Sequence, residues 1–395
     1  MRILVVSHNY PRFPGDPAGG YVARLARAAH AAGVDVRVLA PHTPGAASQE
    51  TDDGVPIRRF RYAPEPLERI GYRGDVRSRT FLSPLSFVML PVYLASFARA
   101  VRRAVAESAP DVIHAHWWFP AGWAVAGAGP PFVVTCHGSD VRLLDRRILF
   151  PQLARRVLER AGAVTTVSRF LAVDIEHHAP WLKRPITVAP MPVEVERFAA
   201  GAATPKARPP RILYAGNLLA SKGVDVLLVA LKILRERGIP CQGKVLGEGP
   251  ARGELEALAR RLGIAEAIAW SDFVPQDAMP AEYGASTTTV LPTRGRAEGL
   301  GLTLVEALLA GSAVVGTPAG GIPEVVVDGE TGLLARDGDP QHLADQLARL
   351  LTDAALRDRL TAEGARRMRA TYSTAAASGR FLALYHAIAR DHPAR

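Results

Sequence analysis

Several things are scarce or missing in this sequence, and each narrows the field. Two cysteines among 395 residues rule out a disulfide framework. Cys136 and Cys241 also stand too far apart for a paired metal-ligand motif, so a reducing, cytoplasmic compartment is the default. The chain starts Met1-Arg2-Ile3-Leu4-Val5-Val6-Ser7, directly as a strand, without the apolar core of a signal peptide. No Gly-x-Gly-x-x-Gly turn follows that strand, and the next strand ends at Ala40-Pro41-His42 rather than at an acidic residue. Both departures speak against a nicotinamide dehydrogenase. The Gly-x-Ser-x-Gly elbow of a serine hydrolase is missing, and no metal site of the Asp-x-Asp kind is read. Acidic side chains are in deficit, 38 against 48 Lys and Arg, for a net charge of +10. That balance implies an anionic partner: a phosphate-bearing ligand or a membrane leaflet. Nucleic acid is set aside, because no binding module or aromatic-basic ribonucleoprotein motif is present.

What is there is organised around Glu298-Gly-Leu-Gly-Leu-Thr-Leu-Val-Glu306. The stretch follows an apolar strand, Thr288 to Leu291, and opens a helix of dense apolar residues that stops at Gly311. The first N–H groups of such a helix lack internal partners and carry the positive end of its dipole, which makes an anion site. Gly299 and Gly301 leave room for a phosphate, and carboxylates at Glu298 and Glu306 are suited to hydroxyl donors. If helical, the eight steps between them span roughly 12 Å. A glycine-containing turn flanked by solvated glutamates fits the same letters.

In chain order, residues 3 to 40 read as a βαβ unit, with Gly19-Gly20 at a helix start where they can present N–H groups to an anion or simply make a tight turn. An arginine-rich stretch (Arg58, Arg59, Arg61, Arg69, Arg73, Arg77, Arg79) precedes the uncharged Phe81 to Ala98, which is followed by Arg99, Arg102 and Arg103. Pro84, Pro91 and three serines argue against a membrane span. The expectation is a partly buried helix pair whose basic and aromatic rim either rests on anionic lipid or packs internally. Asp111 to His116 is a strand with Trp117, Trp118 and Phe119 at its carboxyl end, where they line an acceptor pocket or belong to the core. His116 reads as structural. Phe132 to Cys136 is a strand running into His137-Gly138-Ser139-Asp140, a display of imidazole, hydroxyl and carboxylate able to bond a sugar or handle a proton.

Alanine- and proline-rich residues 199 to 210 read as a linker, placing a domain boundary near residue 200. Beyond it strands and helices alternate again, as a parallel sheet covered on both faces requires. Gly216-Asn217-Leu218 through Lys222-Gly223 lies at a strand-to-helix junction, where Lys222 can meet phosphate. Gly247-Glu248-Gly249-Pro250 turns at another carboxyl end, and Gly320-Gly321-Ile322-Pro323-Glu324 opens a short helix that reads as capping. The amphipathic tail Phe381, Leu382, Leu384, Tyr385 and Ile388 needs a partner surface.

Together these turns, in this order, resemble the retaining glycosyltransferases of family 4 over nearly the whole chain. The resemblance implies an α/β GT-B fold. Two Rossmann-like domains, 1-198 for the acceptor and 199-375 for the nucleotide-sugar, face a cleft, and a helix at 376-395 crosses back to the first. It implies a hexosyltransferase with no cofactor and no metal, taking a nucleotide-sugar, UDP-sugar favoured over GDP-sugar. The acceptor is a sugar or lipid-linked hydroxyl, and an anionic surface on the inner membrane face is a further partner. By resemblance Glu306 holds the ribose hydroxyls, and Glu298 contacts the transferred sugar. Lys222 and the amides of Gly299, Leu300 and Gly301 neutralise the leaving diphosphate. Gly216, Asn217, Gly247 and Glu248 complete the donor pocket, and Gly19 and Gly20 approach the diphosphate. His137 contacts the donor sugar, with Asp140, Trp117 and Trp118 toward the acceptor. The family has arginine where Asn217 stands here, so Arg294 or Arg296 is expected to supply the missing charge. Rival readings are a non-catalytic nucleotide-sugar sensor and a GT-B epimerase.

Overall fold

The computed structural model describes residues 1–391 apart from 14, 17, 69, 71–83, 146–149 and 273. The chain forms two units, one from residues 1–192 with the C-terminal segment from Thr374, the other Val193–Ser373. The first holds eight strands: β1 Arg2–Ser7, β2 Asp35–Pro41, β3 Gln49–Asp52, β4 Val55–Phe60, β5 Val112–His116, β6 Phe132–Cys136, β7 Ala163–Thr166 and β8 Ile186–Val188. They lie in the order β3-β4-β2-β1-β5-β6-β7-β8, and all pair parallel except β3 with β4. The second holds β9 Arg211–Ala215, β10 Gln242–Leu246, β11 Ile268–Ser271, β12 Thr288–Leu291, β13 Ala313–Gly316 and β14 Leu333–Leu334, in the parallel order β11-β10-β9-β12-β13-β14. Strands such as β5, β6 and β12 are buried at every residue, as a parallel sheet covered on both faces requires.

Each sheet reverses its winding once, between β1 and β5 in the first unit and between β9 and β12 in the second. At such a point the loops leaving the two strands diverge to opposite faces and open a crevice at the carboxyl ends. The residues singled out by sequence cluster at these two places.

Four expectations change. The arginine run at residues 58 to 61 contains a strand, because Arg59 of β4 turns inward. It is 3% exposed, and its guanidinium donates to the Pro11 carbonyl and to Glu50. Phe81 to Ala98 does not form a helix pair: a single helix, Pro84–Ser108, runs through Pro91, which faces outward. Arg69, Arg73, Arg77, Arg79 and residues 81–83 lie outside the described residues. The first part of the expected linker, 199–203, lies instead in a helix Val195–Ala200 and a 3-10 turn Gly201–Ala203, whereas 204–210 are irregular and mostly exposed. A Cβ on Gly201 would meet the Pro280 carbonyl at 2.2 Å, so the glycine there serves close approach rather than freedom. A long helix, Ala354–Tyr372, capped by Asp353 through the Leu356 N–H, went unread because its surface is largely charged.

The final helix, Thr374–Asp391, packs on the Gly20–Ala31 helix and β5 of the first unit, burying Phe381, Tyr385 and Ile388. Its polar anchor is a buried relay. The Tyr385 hydroxyl lies 2.6 Å from His114 Nδ1, and His114 Nε2 lies 2.7 Å from Thr135 Oγ1. Thr135 is 2.6 Å from Thr165 Oγ1, which donates to the Val134 carbonyl. A carbonyl only accepts, so the donors order backwards from it: Thr165, Thr135, His114 Nε2–H and Tyr385 O–H. Tyr385→Phe removes the last donor and leaves His114 Nδ1 unpaired in the core. It should cost the first unit about 1 to 3 kcal/mol, read as an earlier unfolding midpoint of the full chain in urea; an unchanged midpoint would contradict the relay.

Candidate functional site

The second unit's crevice is built by glycines. The loops after β9 and β10 lie backbone against backbone: Leu218 N–H donates to the Glu248 carbonyl (2.8 Å) and Ala251 N–H to that of Leu218 (3.1 Å). A Cβ on Gly247 would fall 1.9 Å from the Gly216 carbonyl oxygen, so no larger residue fits there. Gly223, at φ +69°, starts the helix Val224–Glu236, and a Cβ on it would lie 1.9 Å from the Pro292 carbonyl. This contact draws the loop after β9 onto the loop after β12.

Lys222 thereby meets Glu298. Lys222 Nζ lies 2.7 Å from Glu298 Oε2 and donates also to the Ala297 carbonyl at 3.1 Å, with both side chains mostly buried. A phosphate oxygen held by the ammonium and a hydroxyl held by the carboxylate would therefore be neighbours on one ligand. Gly301 (φ +90°) opens the helix Leu302–Leu309 beside them, and that first turn carries no acidic residue to occupy its amides. The Glu298–Leu300 backbone is itself backed by Gly320-Gly321: Gly321 N–H donates to the Glu298 carbonyl, and Cβ atoms at 320 and 321 would strike the Glu298 and Gly299 carbonyls at 1.8 and 2.3 Å.

Glu306, one turn into the helix, accepts from the hydroxyl of Tyr283 at 3.1 Å. Tyr283 is buried, and burial, with Glu306 beside it, pushes its hydroxyl well above the usual range, so it remains a donor that orients the carboxylate. Tyr214 does the same for the loop after β9, donating to the Asn217 carbonyl at 2.8 Å. Asn217 and Glu248 are exposed, and Leu300 is buried, so Leu300 can offer a ligand only its backbone. Arg294, expected to replace the family arginine, pairs its guanidinium with Asp225 Oδ2 (2.6 Å) and the Ala220 carbonyl in a part-exposed ion pair. Arg296 is exposed on the same turn. One Asp-x-Asp spacing is in fact present, Asp337-Gly338-Asp339, and both carboxylates have local work. Asp337 accepts from Gly295 N–H, and Asp339 caps the helix Pro340–Thr352.

At the first unit's crevice, β1 ends in Ser7-His8, β5 in His116-Trp117 and β6 in Cys136-His137. Gly19, at φ +69°, caps the Gly20–Ala31 helix, and a Cβ there would lie 2.3 Å from the Asn9 carbonyl. Trp117 sits at φ +68°, a conformation costly for an aromatic residue. It places the indole 4.3 Å from His8 and 4.4 Å from His137, ring centre to ring centre. Tyr21 closes on His137 at 5.1 Å, and His116 Nδ1 reaches His137 Nε2 at 3.1 Å. Among the described residues no three His, Cys, Asp or Glu are grouped to hold a metal ion.

Asp140 and Trp118 are placed differently from the expectation of an acceptor face. Asp140 is 1% exposed and accepts from the backbone N–H groups of Trp118, His137 and Gly138 at 3.0 to 3.1 Å. Burial pushes its carboxyl above the usual range while those amides oppose the shift. Its work is to pin the loop that carries His137. Trp118 is fully buried, its indole N–H on the Asp140 carbonyl. His8, Tyr21, Tyr214 and Tyr283 were missed; for His8 the signal was available, since it follows a strand's carboxyl end as His137 does.

Residues 198–367 match the family described as Glycosyl transferases group 1, and residues 18–197 the one described as Glycosyltransferase Family 4. The chain is 32% identical over 410 residues to a D-inositol 3-phosphate glycosyltransferase of Frankia alni, covering 94% of this chain and 95% of that one. Among solved structures it is similar to the sucrose-phosphate synthase of Thermosynechococcus elongatus, with TM-score 0.79 and 21% identity over 99% of both chains. It is also similar to Anabaena HepE in complex with UDP-glucose, with TM-score 0.70 and 17% identity over 98% of this chain and 100% of that one.

Burial lowers His8 from 6.5 to about 4 and His114 to about 3, and holds His116 and His137 well below the ordinary range. All four are neutral at pH 7. Because the unfolded chain takes up these protons first, the stability they contribute is complete above about pH 6.5 and is lost as the pH falls toward 4 and then 3. The urea midpoint should therefore drop between pH 6.5 and 5, above the range where ordinary carboxylates titrate; a flat profile there would contradict the buried neutral cluster.

Proposed function

This chain belongs to the group 1 glycosyl transferases, family 4, with the GT-B fold, and on that premise we propose that it moves a hexose-type sugar from a UDP-sugar to an acceptor hydroxyl with retention at the anomeric carbon. The observation that carries the proposal is the Lys222–Glu298 pair, set beside a glycine-opened helix at the reversal point of the second sheet. Breaking a sugar–diphosphate bond leaves an oxocarbenium-like sugar and a diphosphate whose charge grows through the transition state. Positive groups fixed at the phosphate therefore lower the barrier more than they tighten ground-state binding.

Lys222 and the amides at Gly299, Leu300 and Gly301 supply that charge, so the reaction needs no metal. Glu306, oriented by Tyr283, takes the ribose hydroxyls, and Glu298 takes a hydroxyl of the sugar. Within the first unit, His137 offers its imidazole to a sugar hydroxyl, and Gly19-Gly20 open a helix whose amides suit an anion. Retention follows if the acceptor attacks on the face the diphosphate leaves, with the departing phosphate taking the acceptor's proton. UDP is favoured because the similar HepE structure holds UDP-glucose, and a phosphorylated cyclitol is an acceptor to try first because the Frankia relative is named for one.

The outward face of the helix Pro84–Ser108 supports a lipid surface as a further partner. Val88 and Val92 are 66% and 45% exposed, and Arg99, Arg102 and Arg103 continue outward along the same helix. No helix among the described residues is long and apolar enough to cross a membrane. An apolar patch followed by three arginines suits the edge of an anionic leaflet.

UDP-glucose should raise the melting temperature more than GDP- or ADP-glucose. Lys222→Ala should lower kcat roughly 100-fold, and activity should survive excess EDTA. A larger shift with another base, or loss of turnover in chelator, would overturn the corresponding part of the reading. Separately, the protein should co-sediment with vesicles rich in phosphatidylserine and not with neutral ones, and Val88→Asp with Val92→Asp should abolish this; equal sedimentation of the double variant would remove the lipid partner.

A further inference from the structure

His116 has no part in the reaction as described, yet it touches the residue that does. It is fully buried at the end of β5, two residues after His114 and on the same face of the strand. Its ring lies 4.1 Å from that of His114, with the planes 34° apart, and His114 is itself fixed by Tyr385 and Thr135. On its other side the His116 and His137 rings are 5.3 Å apart and only 29° from coplanar. With Nδ1 and Nε2 at 3.1 Å, this is the near edge-to-edge arrangement of an N–H···N bond.

A bond of that kind has one donor, and its direction can be worked out. His116 Nε2 is buried without a partner among the described residues. If His137 were the donor, His116 would carry its proton on that nitrogen, an unpaired N–H in the core. If His116 Nδ1 donates, the orphan is a bare ring lone pair, the cheaper defect. Burial opposes protonating either ring a second time. The proton therefore sits on His116 Nδ1, His137 accepts at Nε2, and His137 must carry its own hydrogen on Nδ1.

We infer that His116 is a positioning residue that locks His137 into its neutral Nδ1–H tautomer, so that the imidazole can only donate to a bound sugar and cannot take a proton from it. The inference rests on the reading of His137 as the group that meets that sugar. It leaves proton removal to the departing phosphate, as retention with same-face attack requires. An imidazole held in the wrong tautomer loses its role even where the geometry is intact.

The test is made on the full chain labelled with 15N-histidine, reading the His137 tautomer from two-bond 15N–1H correlations, with steady-state kinetics in parallel. In the unsubstituted protein His137 should be the Nδ1–H form. His116→Asn places an amide N–H where Nδ1 stood, and should keep both that tautomer and kcat within about 3-fold. His116→Leu and His116→Gln lack a donor at that point. Each should mix the tautomers and lower kcat about 10-fold or more, with the donor KM little changed; the glutamine variant serves if leucine prevents folding. His137 found as Nε2–H in the unsubstituted protein would overturn the inference, as would donorless variants that keep full kcat. A His137→Ala enzyme with undiminished turnover would instead sink the role given to His137 while leaving the tautomer result standing.

Discussion

Both candidate sites in this molecule lie where a largely parallel sheet changes direction. Strands wound outward from a shared starting point send their loops to opposite faces, so a gap opens at the carboxyl ends that no side chain of the sheet can fill. In the second unit that gap is flanked by the loops after β9 and β12, in the first by those after β1 and β5. Glycines then tighten the borders. Gly223 on the Pro292 carbonyl, Gly247 on that of Gly216 and Gly320 on that of Glu298 are contacts in which a methyl group would collide with backbone oxygen. These residues need never touch a ligand to decide where Lys222 and Glu298 stand.

The two units arrange charge in opposite ways. The second concentrates it: an ammonium against a carboxylate, next to a helix start whose dipole adds positive potential. The first removes it: His8, His114, His116 and His137 are all kept neutral by burial, and Asp140 spends its acceptors on three backbone amides. A neutral, directional donor suits a sugar hydroxyl, and a fixed cation suits a diphosphate. The C-terminal helix takes part in this division, since its Tyr385 anchors His114, against which His116 stacks.

Strand periodicity and glycine placement carried the two-sheet architecture, and the spacing from Glu298 to Glu306 marked the candidate residues at its reversal point, because each acts over a short stretch of chain. The β3–β4 hairpin was hidden by Arg59, an inward-facing charge held by Glu50 and the Pro11 carbonyl. The expected helix pair is one helix from Pro84, which runs through Pro91 because that residue faces outward. Residues 199 to 210 looked like a linker because small residues suit both a flexible segment and a tightly packed one; at Gly201 the Pro280 carbonyl, some eighty residues on, shows close packing, while 204 to 210 stay irregular and mostly exposed.

By itself, then, the sequence determined which residue types stand at each strand's carboxyl end, and with them the chemistry on offer: a lysine, two carboxylates, an imidazole and a set of glycines. What it left open was which of them meet, and in what state. That Arg294 answers to Asp225, that Asp140 serves the backbone, and that His116 dictates the proton on His137 were decided by the tertiary structure. The reason is physical: hydrogen bonds and desolvation depend on atoms a few ångströms apart in space, and the partners here are 69, 22 and 21 positions apart in the chain.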